Sequence, residues 1–100
     1  MILIITYTLR NPNQPYINFY NEIKKAETWW HYLDSTWLIR TQFNPQYWYN
    51  RLAPFIFKND SILIIEVKAN YQGWLPKEAW DWINRELPPI DLSSILGKRL

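Results

Sequence analysis

Thr28-Trp29-Trp30-His31-Tyr32-Leu33-Asp34-Ser35-Thr36-Trp37-Leu38-Ile39 places aromatic and β-branched residues on either side of an Asp-Ser pair, with the chain's single histidine among the rings. Such side chains suit a pleated surface, and Asp and Ser favour reversals because they hydrogen-bond the local backbone. The stretch therefore predicts a β-hairpin that turns at Asp34-Ser35. Strict alternation sets Trp29, His31 and Leu33 on one face and Trp30 and Tyr32 on the other. Both faces are apolar, which predicts a hairpin in the middle of a sheet.

Toward the N-terminus, the apolar run Ile2 to Leu9 ends at Arg10-Asn11-Pro12-Asn13, the pattern of a buried central strand and a turn. From Pro15, the residues Tyr16, Phe19, Tyr20 and Ile23 recur at helical spacing, so a helix is expected to about Glu27 with Asn18, Asn21 and Lys24 facing outward. Toward the C-terminus, Asn44-Pro45 supplies a cap and a first-turn proline for a helix presenting Trp48, Leu52 and Phe55, which Pro54 ends or kinks. Asn59-Asp60 then turns the chain into Ser61-Ile62-Leu63-Ile64-Ile65-Glu66-Val67, a nearly continuous apolar strand expected inside the sheet. Beyond a loop in which Gly73 allows an unusual backbone angle, Pro76 opens a third helix with the stripe Leu75, Ala79, Trp82 and Ile83, and Trp80 lies off that stripe. Pro88-Pro89 stops this helix. One domain is expected over residues 1–87, including a C-terminal helix at 76–87, followed by a tail at 88–100 that docks or stays mobile.

The order βαββαβ predicts an α+β domain of ferredoxin-like type: a four-stranded antiparallel sheet, two helices on one face, and an added C-terminal helix. The face without helices then needs cover, from the added helix or from a second copy of the chain, and homodimerisation is the simpler expectation. The rival reading is that the hairpin rings stack on nucleobases. With 100 residues, a formal charge of +2 and no cysteine, the chain has neither a dense cationic stripe nor a disulfide framework or thiolate metal site. Met1 to Ile5 lacks the basic start of a signal peptide and no apolar run reaches membrane-spanning length, so no membrane partner and a cytoplasmic location are expected.

The apolar first strand, His31 to Ile39 as paired strands, Asn44 to Phe55 as the second helix and Asn59 to Val67 as the fourth strand carry a resemblance that spans residues 1–87. In order and spacing the chain resembles the small CRISPR-associated ferredoxin-like family that forms the dimeric hub of the spacer-integration complex, its VapD-toxin relatives, and most closely the bacterial proteins labelled SinR-like. No helix-turn-helix pattern accompanies that label. The resemblance implies a homodimer in bacterial or phage antiviral defence. It also implies, for the nuclease members, an aspartate at the end of strand one that holds a divalent metal beside a phosphodiester. Here that position reads Tyr7-Thr8-Leu9. A neutral threonine is a poor ligand for Mg²⁺, which prefers carboxylates and water, so no cofactor is expected; Mg²⁺ belongs only to a nuclease alternative.

His31, Asp34 and Ser35 are the candidate catalytic groups: a histidine that titrates near neutrality, a carboxylate and a hydroxyl close in sequence. The plainer assignments are a packed ring for His31 and turn formers for Asp34 and Ser35. No ligand spacing for a metal, phosphate loop or nucleophile motif is present. Candidate binding residues are Thr8, Arg10, Trp30, Tyr32, Trp74 and Trp80, the last two because an exposed tryptophan calls for a covering partner. The function expected is non-catalytic binding of nucleic acid, a nucleotide or a protein. The alternatives are a metal-dependent endoribonuclease or toxin and a protein-protein inhibitor or adaptor.

Overall fold

The structure is a computed structural model that describes residues 1–87. The chain divides into two compact units, Met1–Val67 and a second beginning at Lys68. In the first, the elements run β1 (Ile2–Thr8), α1 (Ile17–Ile23), β2 (Thr28–Leu33), β3 (Thr36–Arg40), α2 (Pro45–Leu52) and β4 (Ser61–Val67). The strands form an antiparallel sheet in the order β2-β3-β1-β4.

β1 is the centre of the sheet. It pairs with β3 from Ile2↔Arg40 to Thr6↔Thr36 and with β4 from Ile2↔Val67 to Thr8↔Ser61. Alternation along β1 sends Leu3, Ile5 and Tyr7 to the face that also carries Trp37 and Ile39 of β3. Phe19 and Ile23 of α1 and Trp48 and Leu52 of α2 close on that face to form the core, so both helices lie on one side. α1 and α2 have only seven and eight residues. Helices this short are marginal alone, and packing of these apolar stripes is what holds them.

Four sequence expectations are corrected. β4 is an edge strand, last in the order of the described strands, and Ile62 and Ile64 pack on the helix side while Leu63 and Ile65 stay exposed on the other face. Its unbroken apolar run therefore does not mark burial on both sides. β2 is the opposite edge, with only β3 of the hairpin inside the sheet. Alternation in β2 holds as far as Trp30↔Leu38, and then a bulge sets Leu33 opposite Thr36, which takes Leu33 out of the row begun by Trp29. Finally, α1 stops at Ile23 rather than near Glu27, because Ala26 folds back on the Ile23 carbonyl and the Glu27 N–H already donates to Arg40 in the strand ladder.

α2 starts as expected. The Asn44 side chain accepts the Tyr47 N–H at 2.9 Å, Pro45 follows, and Pro54 tightens the end into a 3-10 turn over Ala53–Phe55. At the Asn59-Asp60 turn, Asn59 takes a positive φ of 74°, a conformation Asn tolerates better than most residues. Asp60 does more than turn the chain. Its carboxylate accepts the backbone N–H groups of Arg10 and Phe57 (both 2.8 Å), the Asn11 amide (3.0 Å) and the Tyr16 hydroxyl (2.7 Å), and so ties the loop after β1 to the start of β4.

The second unit holds α3 (Lys77–Glu86), preceded by Pro76, with Ala79, Trp82 and Ile83 buried as its stripe predicts. Tyr71 stacks on Trp80 with ring centres 6.2 Å apart, and the Tyr71 hydroxyl donates to the Leu87 carbonyl at 2.8 Å. Gly73 does not use the backbone freedom it allows, since its φ is not positive; a Cβ there would lie 3.9 Å from the Trp80 ring. The expected tail at 88–100 lies outside the described residues. No helix among the described residues is long and apolar enough to cross a membrane.

Candidate functional site

Ile17, Tyr20 and Lys24 recur at i, i+3 and i+7 and so line one side of α1. Trp29 and His31 of β2 and Trp37 of β3 rise from the sheet beneath them, and the six residues enclose an open cleft of about 250 Å³. Trp37 is its floor. Its Nε1–H donates to the Tyr7 hydroxyl at 2.9 Å inside the core, which anchors the edge of the indole. Burial pushes the Tyr7 hydroxyl up to about 12, against the opposing effect of the Trp37 N–H, so Tyr7 stays neutral at any physiological pH.

The rings are layered on that floor. His31 stacks on Trp37 with ring centres 3.9 Å apart and planes 15° from parallel, Tyr20 stacks at 6.3 Å, and Trp29 lies tilted at 5.2 Å. Trp29 remains 40% exposed, and the Lys24 Nζ sits 5.5 Å from its ring centre. Lys24 is the one permanently charged residue of the lining, and no carboxylate shares it. The cleft thus offers flat apolar surface beside a positive charge, which suits a planar ligand that carries negative charge.

Of the three candidate catalytic residues, the His31 ring meets Asp34 at a backbone oxygen, while the Ser35 carbonyl engages β1 instead. His31 Nε2 lies 3.2 Å from the Asp34 carbonyl oxygen, and the Ser35 carbonyl accepts the Tyr7 N–H and the Thr6 hydroxyl. A carbonyl only accepts, so Nε2 carries the proton and Nδ1 is the acceptor of the neutral ring. None of these contacts links two side chains as an acid-base pair. Thr8, at the end of β1, pairs with Ser61 beside a shallow depression of about 210 Å³ whose other lining residues are Thr6, Tyr7, Ile62 and Leu63. That lining contains no carboxylate. Arg10 Nη1 donates to the Asn59 carbonyl (2.7 Å) and the Ser61 hydroxyl (3.0 Å), so the guanidinium braces the β4 turn.

Trp30, expected among the binding rings, is only 2% exposed and cannot receive a base in this state. Tyr32, in ring contact with Trp30 at 5.4 Å, remains exposed on that same face. In the second unit Trp80 is half-buried, whereas Trp74 is 99% exposed. Sequence reading missed Trp29, Trp37, Lys24, Tyr20 and Ile17 as parts of one site. Two signals were present: the 17/20/24 helical spacing, and the shared face of Trp29 and His31 on one arm of a two-residue turn with Trp37 on the other.

A second cleft of about 270 Å³ lies beside Phe43, Tyr47, Thr41 and Arg51. Its cations are already committed. Arg51 and Lys25 both pair with the buried Glu22, at 2.7 Å from Arg51 Nε and 2.8 Å from Lys25 Nζ. The hydrogen bond from Lys25, opposed by burial and reinforced by Arg51, holds the Glu22 carboxyl below the usual carboxylate range. Among the described residues no group of three or more His, Cys, Asp or Glu side chains is placed to hold a metal ion. No family model, no curated protein and no solved structure matches the chain.

Proposed function

We propose that the chain is a non-catalytic binding protein on a ferredoxin-like sheet, that it works as a homodimer, and that it belongs to bacterial or phage defence-related biology as its resemblance to the CRISPR-associated and VapD-like families implies. The observation that carries the dimer is the β4 margin of the sheet. Among the described residues β4 pairs with β1 alone, and its Leu63 and Ile65 are 56% and 48% exposed on the face away from α1 and α2. The strand contains no proline or lysine, keeps an unbroken register with β1, and has Glu66 as its one charged residue. Antiparallel pairing with a second copy about Ile64 would set Leu63 opposite that copy's Ile65, and the reverse, joining the two apolar rows. The strand order with both helices on one face supports the ferredoxin-like assignment. Thr8 beside Ser61, in a depression lined by hydroxyl and apolar groups, supports binding over metal-dependent cleavage.

Light scattering at micromolar concentration tests the dimer: the wild type should run at twice the chain mass, and the double variant L63K/I65K should be monomeric with an unchanged circular dichroism spectrum. A monomeric wild type would remove the dimer, and Mg²⁺-dependent cleavage of RNA or DNA would remove the non-catalytic assignment in favour of the endoribonuclease alternative. A second reading, a protein-docking adaptor or inhibitor, is favoured by the full exposure of Trp74. It predicts a protein complex that resists salt and is lost in Trp74→Ala.

A further inference from the structure

We propose that the Trp29/His31/Trp37 cleft holds one unpaired base of a single-stranded nucleic acid, with the adjoining phosphate held by Lys24. This rests on the reading of the chain as a binding protein, and it names the ligand and the site. The Trp29 ring gives a stacking surface that every base can use, because every base has a π-face. Trp29 keeps two-fifths of its surface in solvent while Trp37 is locked beneath, so the outer ring is the free platform and the inner one is its support. The Lys24 ammonium at 5.5 Å from the Trp29 ring makes only a weak cation–π contact at an exposed site, and a phosphate beside the stacked base replaces it. With His31 Nε2 turned to the Asp34 carbonyl, Nδ1 remains as an acceptor for a base N–H.

Size and shape favour a strand over a free small molecule. At about 250 Å³ the cleft falls below the range of enclosed small-molecule pockets, it is open to solvent, and a single lysine is its only permanent charge. One stack and one phosphate contact bind a mononucleotide weakly. A strand can leave the cleft at both ends and add contacts outside it. A duplex cannot enter without giving up a base pair.

The test is a tryptophan-fluorescence and anisotropy titration of the full chain with a ten-nucleotide uridine oligomer, its deoxy counterpart, a duplex of the same length, and uridine monophosphate. The expected result is saturable binding of at least one single strand, with the duplex and the mononucleotide each at least tenfold weaker. Trp29→Ala should lose about tenfold in affinity for the strand, while Trp29→Phe, which keeps a stacking face, should recover most of it. Lys24→Ala should weaken binding two- to fivefold and lower the salt dependence by somewhat less than one counterion. Circular dichroism of each variant separates lost binding from lost folding. Equal binding of duplex and strand, a mononucleotide as tight as the oligomer, or a folded Trp29→Ala with wild-type affinity would each overturn the proposal. Failure to bind any strand by a protein that light scattering shows to be dimeric would sink this inference and leave the dimer standing, and strand binding by a monomer would do the reverse.

Discussion

Tyr7 and Trp37 show how much one polar contact can decide in an aromatic core. Trp37 is 1% exposed, and its Nε1–H has the Tyr7 hydroxyl as partner at 2.9 Å, so this fully buried indole is both packed and satisfied. Tyr7→Phe keeps the ring against Phe19 but leaves a buried N–H without an acceptor. It should cost about 1–2 kcal/mol by urea unfolding, and the Trp37→Phe/Tyr7→Phe double variant should cost little more than Trp37→Phe alone. A large additional loss in the double variant would show that the hydroxyl serves something other than the indole. Neither residue's role could be read along the chain, since thirty positions separate them. Asp60 was legible as a turn former, but its four hydrogen-bond donors come from Arg10, Asn11, Tyr16 and Phe57, most of them distant in sequence.

Elements with a local signal were legible, and α2 is the clearest. Asn44 and Pro45 name its start and Pro54 its end, because capping and the missing proline N–H act within a turn of the residue itself. Asn44→Ala should cost about 1 kcal/mol and lower the melting temperature by on the order of 5 °C, whereas Asn44→Ser or Asn44→Asp should be nearly neutral. An equal loss in all three would mean that Asn44 acts by packing rather than by accepting the Tyr47 N–H. The end of α1 was less legible. Its helical spacing continues past Ile23, yet the Glu27 N–H is taken by Arg40 across the hairpin, and strand pairing overrides propensity there. The same limit explains β4. A continuous apolar run reads equally as an interior strand or as an edge that carries a contact surface, and only the neighbours distinguish them.

Charge is distributed through the first unit so that folding depends on pH. Burial works to raise the Asp60 carboxyl, but the N–H of Arg10, the Tyr16 hydroxyl, the N–H of Phe57 and the Asn11 amide outweigh it, and the carboxyl is held below the usual range. Glu22 is held low as well, through Lys25 first and Arg51. Both groups therefore give up protons more readily folded than unfolded, and their contribution is present above the ordinary carboxylate range and lost as pH falls through the folded values. Urea unfolding between pH 7 and pH 3 should show wild-type stability falling, with Asp60→Asn and Glu22→Gln less stable at pH 7 and converging on the wild type in acid. A gap that widens on acidification would reverse the sign and reject the assignment. Local chemistry written into the chain was enough to define an α+β domain of βαββαβ order, a hairpin at Asp34-Ser35, a capped second helix and a third helix after Pro76, because periodicity, capping and turn preference act over a few residues. The strand neighbours, the bulge that moves Leu33, the burial of Trp30 and the gathering of Ile17, Tyr20 and Lys24 over Trp29, His31 and Trp37 were decided only when the sheet assembled, because each depends on which distant segment comes to lie alongside.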